Sequence, residues 1–393
     1  MVEKDKIEKL LSRNVAEIIE KKHLEERIKK GEKLRIKLGI DPTGPRLHIG
    51  RAVALRKLKE FQDLGHRVVL ITGDFTGLVG DASDKESQRP QLTREQLEEN
   101  MKDYEEQIGK ILDLDKVEFR YNSEWLSKIK FEELLRLASL FTIHQLVERR
   151  NFKERFESGK TIGFHEFFYP LMQGYDSVAV EADVEIGGTD QLFNLLAGRK
   201  IQEFYGQKPQ DVMILDMMVG LDARKMSTTY RNVINMLDEP NDMFGKVMSL
   251  KDELIPGYFV LATDVSMDEI KKIEESIKKN EVNPMEVKKQ LAFEIVKIYH
   301  GEDKATKARA YFEKTFQQGK TTEIDASIET AKGKELREDL ISAGYVVSSS
   351  EFRRLVKEGA IDFEGEIVDD VHYKIEKPGV VRIGKKKFVK IEI

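Results

Sequence analysis

Hydrophobic positions along the first eighty residues change rhythm three times. Between residues 4 and 31, Ile7, Leu10, Leu11, Val15, Ile18 and Ile19 recur at helical spacing, which predicts one amphipathic helix. LRIKLGI (34–40) then reads as a strand and stops at the breaker Asp41-Pro42-Thr43-Gly44-Pro45. From about 48 to 64 the helical period returns, carried by Val53, Ala54, Leu55, Leu58 and Phe61. VVLITG (68–73) is an unbroken apolar run of the kind found in strands buried on both faces. This strand–helix–strand unit predicts a Rossmann-like parallel sheet, with ligands bound at the strand carboxyl ends.

Further strand candidates are VEFRY (117–121), VEI (184–186) and VMIL (212–215), with helical patterns in most of the gaps. A helical stretch runs from about 240 to 316. The last sixty residues hold two short helical segments, LREDLISAG and SSSEFRRLVKEG, and the alternating strands VVRIG and KKFVKIEI. The fold class expected is therefore α/β: a Rossmann-like domain over 1–236, an α-helical domain over 237–328 and a small α+β domain over 329–393.

Composition sharpens this only in places. The 393 residues are 40% hydrophobic, enough for more than one core. Charged residues make up 35% and the net charge is −5, so a nucleic-acid site has to be a local patch. The absence of cysteine excludes disulfides, thiolate catalysis and cysteine-based metal sites. The charged N-terminal segment lacks the apolar core of a signal peptide, and no stretch reaches membrane-spanning length, so the expected location is cytoplasmic.

Two short segments carry candidate phosphate chemistry. His48-Ile49-Gly50 sits where the first strand turns into the first helix. A helix N-terminus offers free N–H groups and partial positive charge to a phosphate, and Gly50 lets a flat ring approach the backbone. His48 and the hydroxyl of Thr43 can each donate to a phosphate oxygen. Alone, the tripeptide reads as readily as a histidine that caps a helix. Lys225-Met226-Ser227-Thr228-Thr229 follows the last strand of this part, and a loop lysine there can hold a departing pyrophosphate. A third signal is Tyr169, Gln173 and Asp176, which at i, i+4 and i+7 put a phenol, an amide and a carboxylate on one helix face. Buried without partners, such groups are costly, so the face asks for a polar ligand.

The pairing of His-Ile-Gly with Lys-Met-Ser around a parallel sheet resembles the class I aminoacyl-tRNA synthetases. Gly80-Asp81, the run Phe167 to Asp176, and Ile186-Gly187-Gly188-Thr189-Asp190-Gln191 narrow the resemblance to the tyrosyl-tRNA synthetases, in order and spacing. That resemblance implies activation of L-tyrosine by ATP to tyrosyl-adenylate, then transfer to the 3′-terminal adenosine of tRNA(Tyr). It implies Asp176 as acceptor of the substrate phenol, Asp81, Tyr169 and Gln173 around its ammonium, and Gln191 near its carboxyl or the α-phosphate. A phenylalanine would leave that carboxylate unpaired, an effect of which this enzyme family is itself the standard illustration. Asp41, His48, Gly50, Arg51, Gly188, Asp190, Lys225, Met226 and Ser227 would bind ATP. Thr43, His48, Lys85, Arg89 and Lys225 would stabilise the transition state. ATP would come with Mg2+, and no dedicated protein metal site is implied.

Three positions depart from the best-known family pattern. Arg51 replaces the second histidine of His-Ile-Gly-His. Thr228 and Thr229 stand where Lys-Met-Ser-Lys-Ser has its second lysine and last serine. Lys37 occupies a position where many members carry a phenol-binding tyrosine, which resembles the second bacterial subgroup and adds Lys37 to the candidate tyrosine-binding residues, with two directions open to it: toward the phenol or elsewhere. By the same resemblance, an insertion at about 120–160, with Phe141, Ile143, Leu146 and Val147, forms a homodimer contact. The helical stretch, with PNDMFGKVMSL (240–250), matches an anticodon-binding domain. The tail resembles an S4-type RNA-binding fold, its second helix opened by Ser350, with a hairpin turn at Glu364-Gly365. Arg353, Arg354, Lys357 and Lys385, Lys386 and Lys387 would meet tRNA phosphates. Three other readings stay open: a tryptophanyl-tRNA synthetase, a catalytically weakened RNA-binding relative, and a small nucleotidyltransferase.

Overall fold

The computed structural model describes residues 2–81, 92–317, 326–364, 366–384 and 387–393. Lys85, Arg89, Lys385 and Lys386 lie outside these residues. Backbone contacts divide the chain into two compact units, Met1–Ala305 and Thr306–Ile393.

The first unit is built on a six-stranded sheet. Its strands are β1 (Val15–Ile19), β2 (Arg35–Ile40), β3 (Arg67–Thr72), β4 (Val117–Tyr121), β5 (Val184–Gly188) and β6 (Asp211–Leu215), in the order β1-β6-β5-β2-β3-β4. Strands β2 to β6 run parallel, and β1 is an antiparallel edge on β6. The strand order reverses at β2, whose neighbours are β3 on one side and β5 on the other. A crevice opens at such a point, because successive chain connections leave in opposite directions. Every strand candidate of the sequence is present, with ends shifted by a residue or two.

The expected N-terminal helix over 4–31 is not continuous. It is a helix at Val2–Ser12, strand β1 and a second helix at Lys21–Lys29. Asn14 and Glu20 adopt left-handed backbone conformations (φ 57° and 65°) on either side of β1. Between them, Val15, Ile18 and Ile19 pair with Leu215, Met213 and Val212. Tertiary pairing with a sheet edge therefore overrides a helical period that the apolar spacing alone supports.

The helical stretch belongs to the first unit. It comprises Pro240–Met248, Ile255–Ala262, Met267–Lys278 and Pro284–His300, and then Glu302–Phe312 runs across the division between the units. The boundary expected near 236 falls inside that unit. One reason is Arg13, whose buried guanidinium donates to the carbonyls of Phe259, Val260, Thr263 and Val265. Phe259 and Val260 lie in the last turn of helix Ile255–Ala262, which leaves its carbonyls without helical partners, and a cation is favoured there.

The second unit holds a five-stranded sheet of β7 (Ala326–Glu329), β8 (Ile361–Phe363), β9 (Glu366–Ile367), β10 (Gly379–Ile383) and β11 (Lys387–Glu392), ordered β7-β11-β10-β8-β9. Strands β8 and β9 form the hairpin, with Phe363 opposite Glu366. Helices Leu336–Ser342 and Ser349–Lys357 share its core through Leu336, Leu340, Phe352 and Val356. The second of these helices is capped by Ser348, not opened by Ser350: the Ser348 side chain accepts from the Glu351 N–H at 3.3 Å. Among the described residues no helix is long and apolar enough to cross a membrane.

Candidate active site

The carboxyl ends of β2, β3, β5 and β6 border one cleft of about 390 Å3. Its walls include Asp41, Thr43, His48, Gly50, Arg51, Asp81, Tyr169, Gln173, Asp176, Gly188, Asp190, Gln191, Lys225, Met226 and Ser227. The sequence candidates for ATP and for tyrosine thus meet in a single space, with the two exceptions below.

Helix Tyr169–Ala179 supplies the floor. Asp176 is 3% exposed and accepts hydrogen bonds from Trp125 Nε1 at 2.7 Å and Asn122 Nδ2 at 3.3 Å. Burial raises its pKa to about 7, against the lowering pull of Lys37 and of both hydrogen bonds. One turn earlier, Gln173 donates to Glu185 Oε1 at 3.1 Å, which leaves its own Oε1 buried without a partner. Tyr169 donates to Asp41 Oδ2 at 2.8 Å, and Thr76 donates to Asp41 Oδ1 at 2.7 Å. Enclosure lifts Asp41 to about 6 although both hydroxyls favour its charged form. Burial and the nearby Asp41 and Asp81 carboxylates hold the Tyr169 phenol well above its ordinary range. Asp81 accepts from Gln191 Nε2 at 2.6 Å and lies 3.8 Å from the Arg149 guanidinium. The floor is therefore a ring of acceptors, suited to one hydroxyl and one ammonium.

The nucleotide side follows the elements that the sequence marked. His48 is the N-cap of helix Ile49–Asp63, and the Ile49 N–H donates to the Ile234 carbonyl, tying the turn to the far end of the Lys-Met-Ser loop. Burial, then Arg51 and Lys225, lower His48 to about 3, so its imidazole is neutral at ordinary pH. Arg51 donates to the Asp41 carbonyl at 3.1 Å and to Thr43 Oγ1 at 2.8 Å, which leaves the Thr43 proton to be given elsewhere. Met226 is 4% exposed. Its sulfur lies 3.0 Å from where a Cβ on Gly50 would stand, so the loop rests directly on the His-Ile-Gly turn. Lys225 Nζ is 3.5 Å from Asp190 Oδ2.

Of the two directions open to Lys37, it takes the one away from the phenol site, so it is not a tyrosine-binding residue. It is fully buried, paired with Glu185 at 2.9 Å and donating to Ser177 Oγ and the Gln173 carbonyl, both at 2.8 Å. Lys37 and Glu185 are register neighbours on β2 and β5. Their side chains lie between the sheet and helix Tyr169–Ala179, and Lys37 does not border the cleft. It supports Gln173 and Asp176 from behind. The other exception is Lys85 and Arg89, which lie outside the described residues.

Sequence reasoning missed Asn122, Trp125, Thr76, Gly73 and Glu185. Asn122 directly follows β4 and is the N-cap of the short helix Ser123–Leu126 that carries Trp125, and their only signal is that a buried carboxylate needs donors. Gly73 is demanded by space: a Cβ there would come within 2.0 Å of Asp41 Oδ1 and 2.4 Å of Thr76 Oγ1. In the second unit, Arg353, Arg354 and Lys357 all project from the exposed face of helix Ser349–Lys357, opposite buried Phe352 and Val356, and Lys387 is exposed on β11. Arg354 is shared with Glu358 at 3.3 Å and Glu351 at 3.8 Å.

Comparison with known proteins identifies the family. Residues 29–317 match the family model described as tRNA synthetases class I (W and Y). The chain belongs to this class I synthetase family. Among its relatives, the tyrosine–tRNA ligase of Thermotoga maritima is 47% identical over 98% of this chain and 96% of its own length. That of Aquifex aeolicus is 45% identical over 98% and 97%. Among solved structures, the tyrosyl-tRNA synthetase of Archaeoglobus fulgidus complexed with L-tyrosine superposes with a TM-score of 0.62 at 21% identity, covering 79% of this chain and all of that one. The C-terminally truncated mitochondrial enzyme of Aspergillus nidulans gives 0.65 at 22%, covering 79% and 94%. These two show a shared fold. As a class I synthetase, the chain uses ATP as a substrate.

Proposed function

We propose that this chain is a tyrosine–tRNA ligase whose tyrosine site is the floor around Asp176. The observation that carries the reading is a buried carboxylate at the end of a cleft that also holds His48, Lys225 and the turn at Gly188. The substrate phenol donates to Asp176. Its ammonium lies among Asp81, Tyr169 and the unpaired Gln173 Oε1. Its carboxylate attacks the α-phosphorus of ATP in line, the bond from that phosphorus to the bridging oxygen breaks, and pyrophosphate leaves. No side chain acts as nucleophile or general base, so catalysis is positioning and charge stabilisation. Neutral His48 and the Thr43 hydroxyl donate to the phosphate as charge builds. Lys225 leaves Asp190 to meet the departing phosphates, and Asp190 is then available to the ribose. Lys85 and Arg89 complete the positive end. ATP enters as its magnesium complex. In the second step, a hydroxyl of the tRNA terminal adenosine attacks the tyrosyl carbonyl and AMP leaves.

The remaining assignments belong to the same reading. The helices over 240–312 bind the anticodon arm, and the second unit meets tRNA phosphates through Arg353, Arg354, Lys357 and the lysines at 385–387. The protein acts as a homodimer in the cytoplasm. Supporting the dimer, Phe131, Leu135, Ile143, Phe156 and Phe164 of the 131–164 segment are each more than half exposed, an apolar surface a monomer would not keep wet. The deciding experiment is tyrosine-dependent exchange of labelled pyrophosphate into ATP by folded protein. Exchange with tyrosine, and none with phenylalanine or tryptophan, is expected. Exchange driven by tryptophan, or none at all, overturns the assignment.

A further inference from the structure

One buried amide grips the loop that carries Lys225 at two backbone positions. Asn232 is 4% exposed. Its Nδ2 donates to the Lys225 carbonyl at 3.0 Å and to Asp222 Oδ1 at 2.8 Å. Its Oδ1 accepts the Ser227 N–H at 2.9 Å, and its backbone carbonyl accepts the Leu221 N–H at 3.2 Å. The two side-chain bonds to residues 225 and 227 flank Met226 on either side. They turn that side chain down onto Gly50 and leave Lys225 facing Asp190. The near end of the loop is shaped to the same amide: a Cβ on Gly220 would come within 2.2 Å of Asn232 Nδ2. Asp222, in turn, accepts from the Arg224 N–H and its guanidinium.

From this geometry we infer that Asn232 is a positioning residue for ATP activation: it fixes the Lys225–Ser227 segment in the arrangement that closes on the His-Ile-Gly turn. The chemistry requires an amide. The side chain donates twice and accepts once, a set that neither a carboxylate nor an aliphatic isostere can supply. Because it grips the backbone of residues 225 and 227, the anchor does not depend on the residue type at 228. A loop with threonine there is held as firmly as one with lysine. Ala223 and Arg231 are left-handed (φ 70° and 52°) near the two ends of the segment. The loop therefore spends backbone energy that its anchors must offset.

This inference rests on the proposed role of Lys225, and its test separates the two. Tyrosyl-adenylate formation is measured by rapid mixing for the parent, Lys225→Ala, Asn232→Ala, Asn232→Asp and the double variant Asn232→Asp/Asp222→Asn. The tyrosine dissociation constant is measured without ATP. Asn232→Ala is expected to slow adenylate formation, or raise the ATP concentration for half-saturation, by at least about tenfold. Its tyrosine affinity should stay within about twofold, since none of its bonds reaches the tyrosine floor. Amide exchange at Ser227 should quicken in the same variant. Asn232→Asp should be worse than Asn232→Ala, because it sets two carboxylates together, and the added Asp222→Asn change should recover part of that excess loss. Unchanged adenylate formation in Asn232→Ala beside a slow Lys225→Ala overturns the inference alone. Parental rates in Lys225→Ala overturn the loop's catalytic role itself. Equal losses in tyrosine affinity and adenylate rate would reduce Asn232 to a general folding residue. Should Asn232→Ala not fold, recovery by the double variant carries the same decision.

Discussion

Replacing Asp176 by asparagine keeps the shape of the site and removes its charge, and the consequences for binding and for stability run in opposite directions. The carboxyl stands at about 7 in the fold against an ordinary 3.8. Ionising it at pH 8 therefore costs the ligand-free fold up to about 4 kcal/mol, at roughly 1.4 kcal/mol per pH unit. The sign follows from proton binding. The folded state holds this proton more tightly than the unfolded chain, so its contribution to stability is largest below about pH 4 and is lost as pH rises toward 7. Asparagine has no such dependence. It does set an NH2 group against one of the donors, Trp125 Nε1 or Asn122 Nδ2, at a pH-independent cost of about 1–3 kcal/mol. Asp176→Asn should thus be less stable than the parent in urea near pH 4, where the parent carboxyl has lost almost nothing, and match or exceed it near pH 8. In pyrophosphate exchange the variant loses a charged acceptor for the phenol, worth about 1.5–3 kcal/mol, or roughly 10- to 150-fold in kcat/KM for tyrosine. Phenylalanine should be affected far less, so discrimination between the two narrows. A stability difference that is constant from pH 4 to pH 8 would refute the burial argument. Undiminished discrimination against phenylalanine would remove Asp176 from phenol recognition.

The other predictions concern the walls around that floor. Since His48 is held near 3, adenylate formation should show no histidine limb above pH 5; an inflection near 7 should survive His48→Ala and disappear in Asp176→Asn, and stopped-flow pH profiles of the three proteins decide it. His48→Ala should slow adenylate formation much more than it weakens tyrosine binding, and equal losses in both would count against its proposed contact with phosphate. Lys37→Met strands Glu185 as a buried charge, so it should cost about 3–5 kcal/mol in urea unfolding. The same change takes a cation from Asp176, so the inflection near 7 should move to higher pH. Gly73→Ala forces a Cβ against Asp41 and Thr76, and calorimetric tyrosine affinity should fall at least about tenfold with a stability loss of roughly 1–3 kcal/mol. Charge placed on the exposed apolar surface by Phe131→Asp with Ile143→Asp should yield monomers in analytical ultracentrifugation; an unchanged dimer would move the interface elsewhere.

Much of this site was legible in one dimension because its parts are local. Tyr169, Gln173 and Asp176 share a helix face by spacing alone, and His48 and Gly50 are defined by the turn from β2 into its helix. The Gly-Gly turn closes β5 within a few residues. Strands β3 and β6 were readable for a related reason, since burial on both faces leaves continuous apolar runs. Local pattern could not separate the helix at Val2–Ser12 from strand β1. The choice there depends on an open sheet edge supplied by β6, some two hundred residues away. Nor could it orient Lys37, whose direction is set by Glu185 on a neighbouring strand and by the helix lying over both. Asn122, Trp125 and Asn232 are ordinary polar and aromatic residues until folding brings a carboxylate or two loop backbones within reach. The sequence alone determined which chemical groups are present and which of them share an element. Only the tertiary structure decided which groups face each other across elements, because hydrogen bonds and ion pairs depend on distances that the chain sets by packing rather than by spacing.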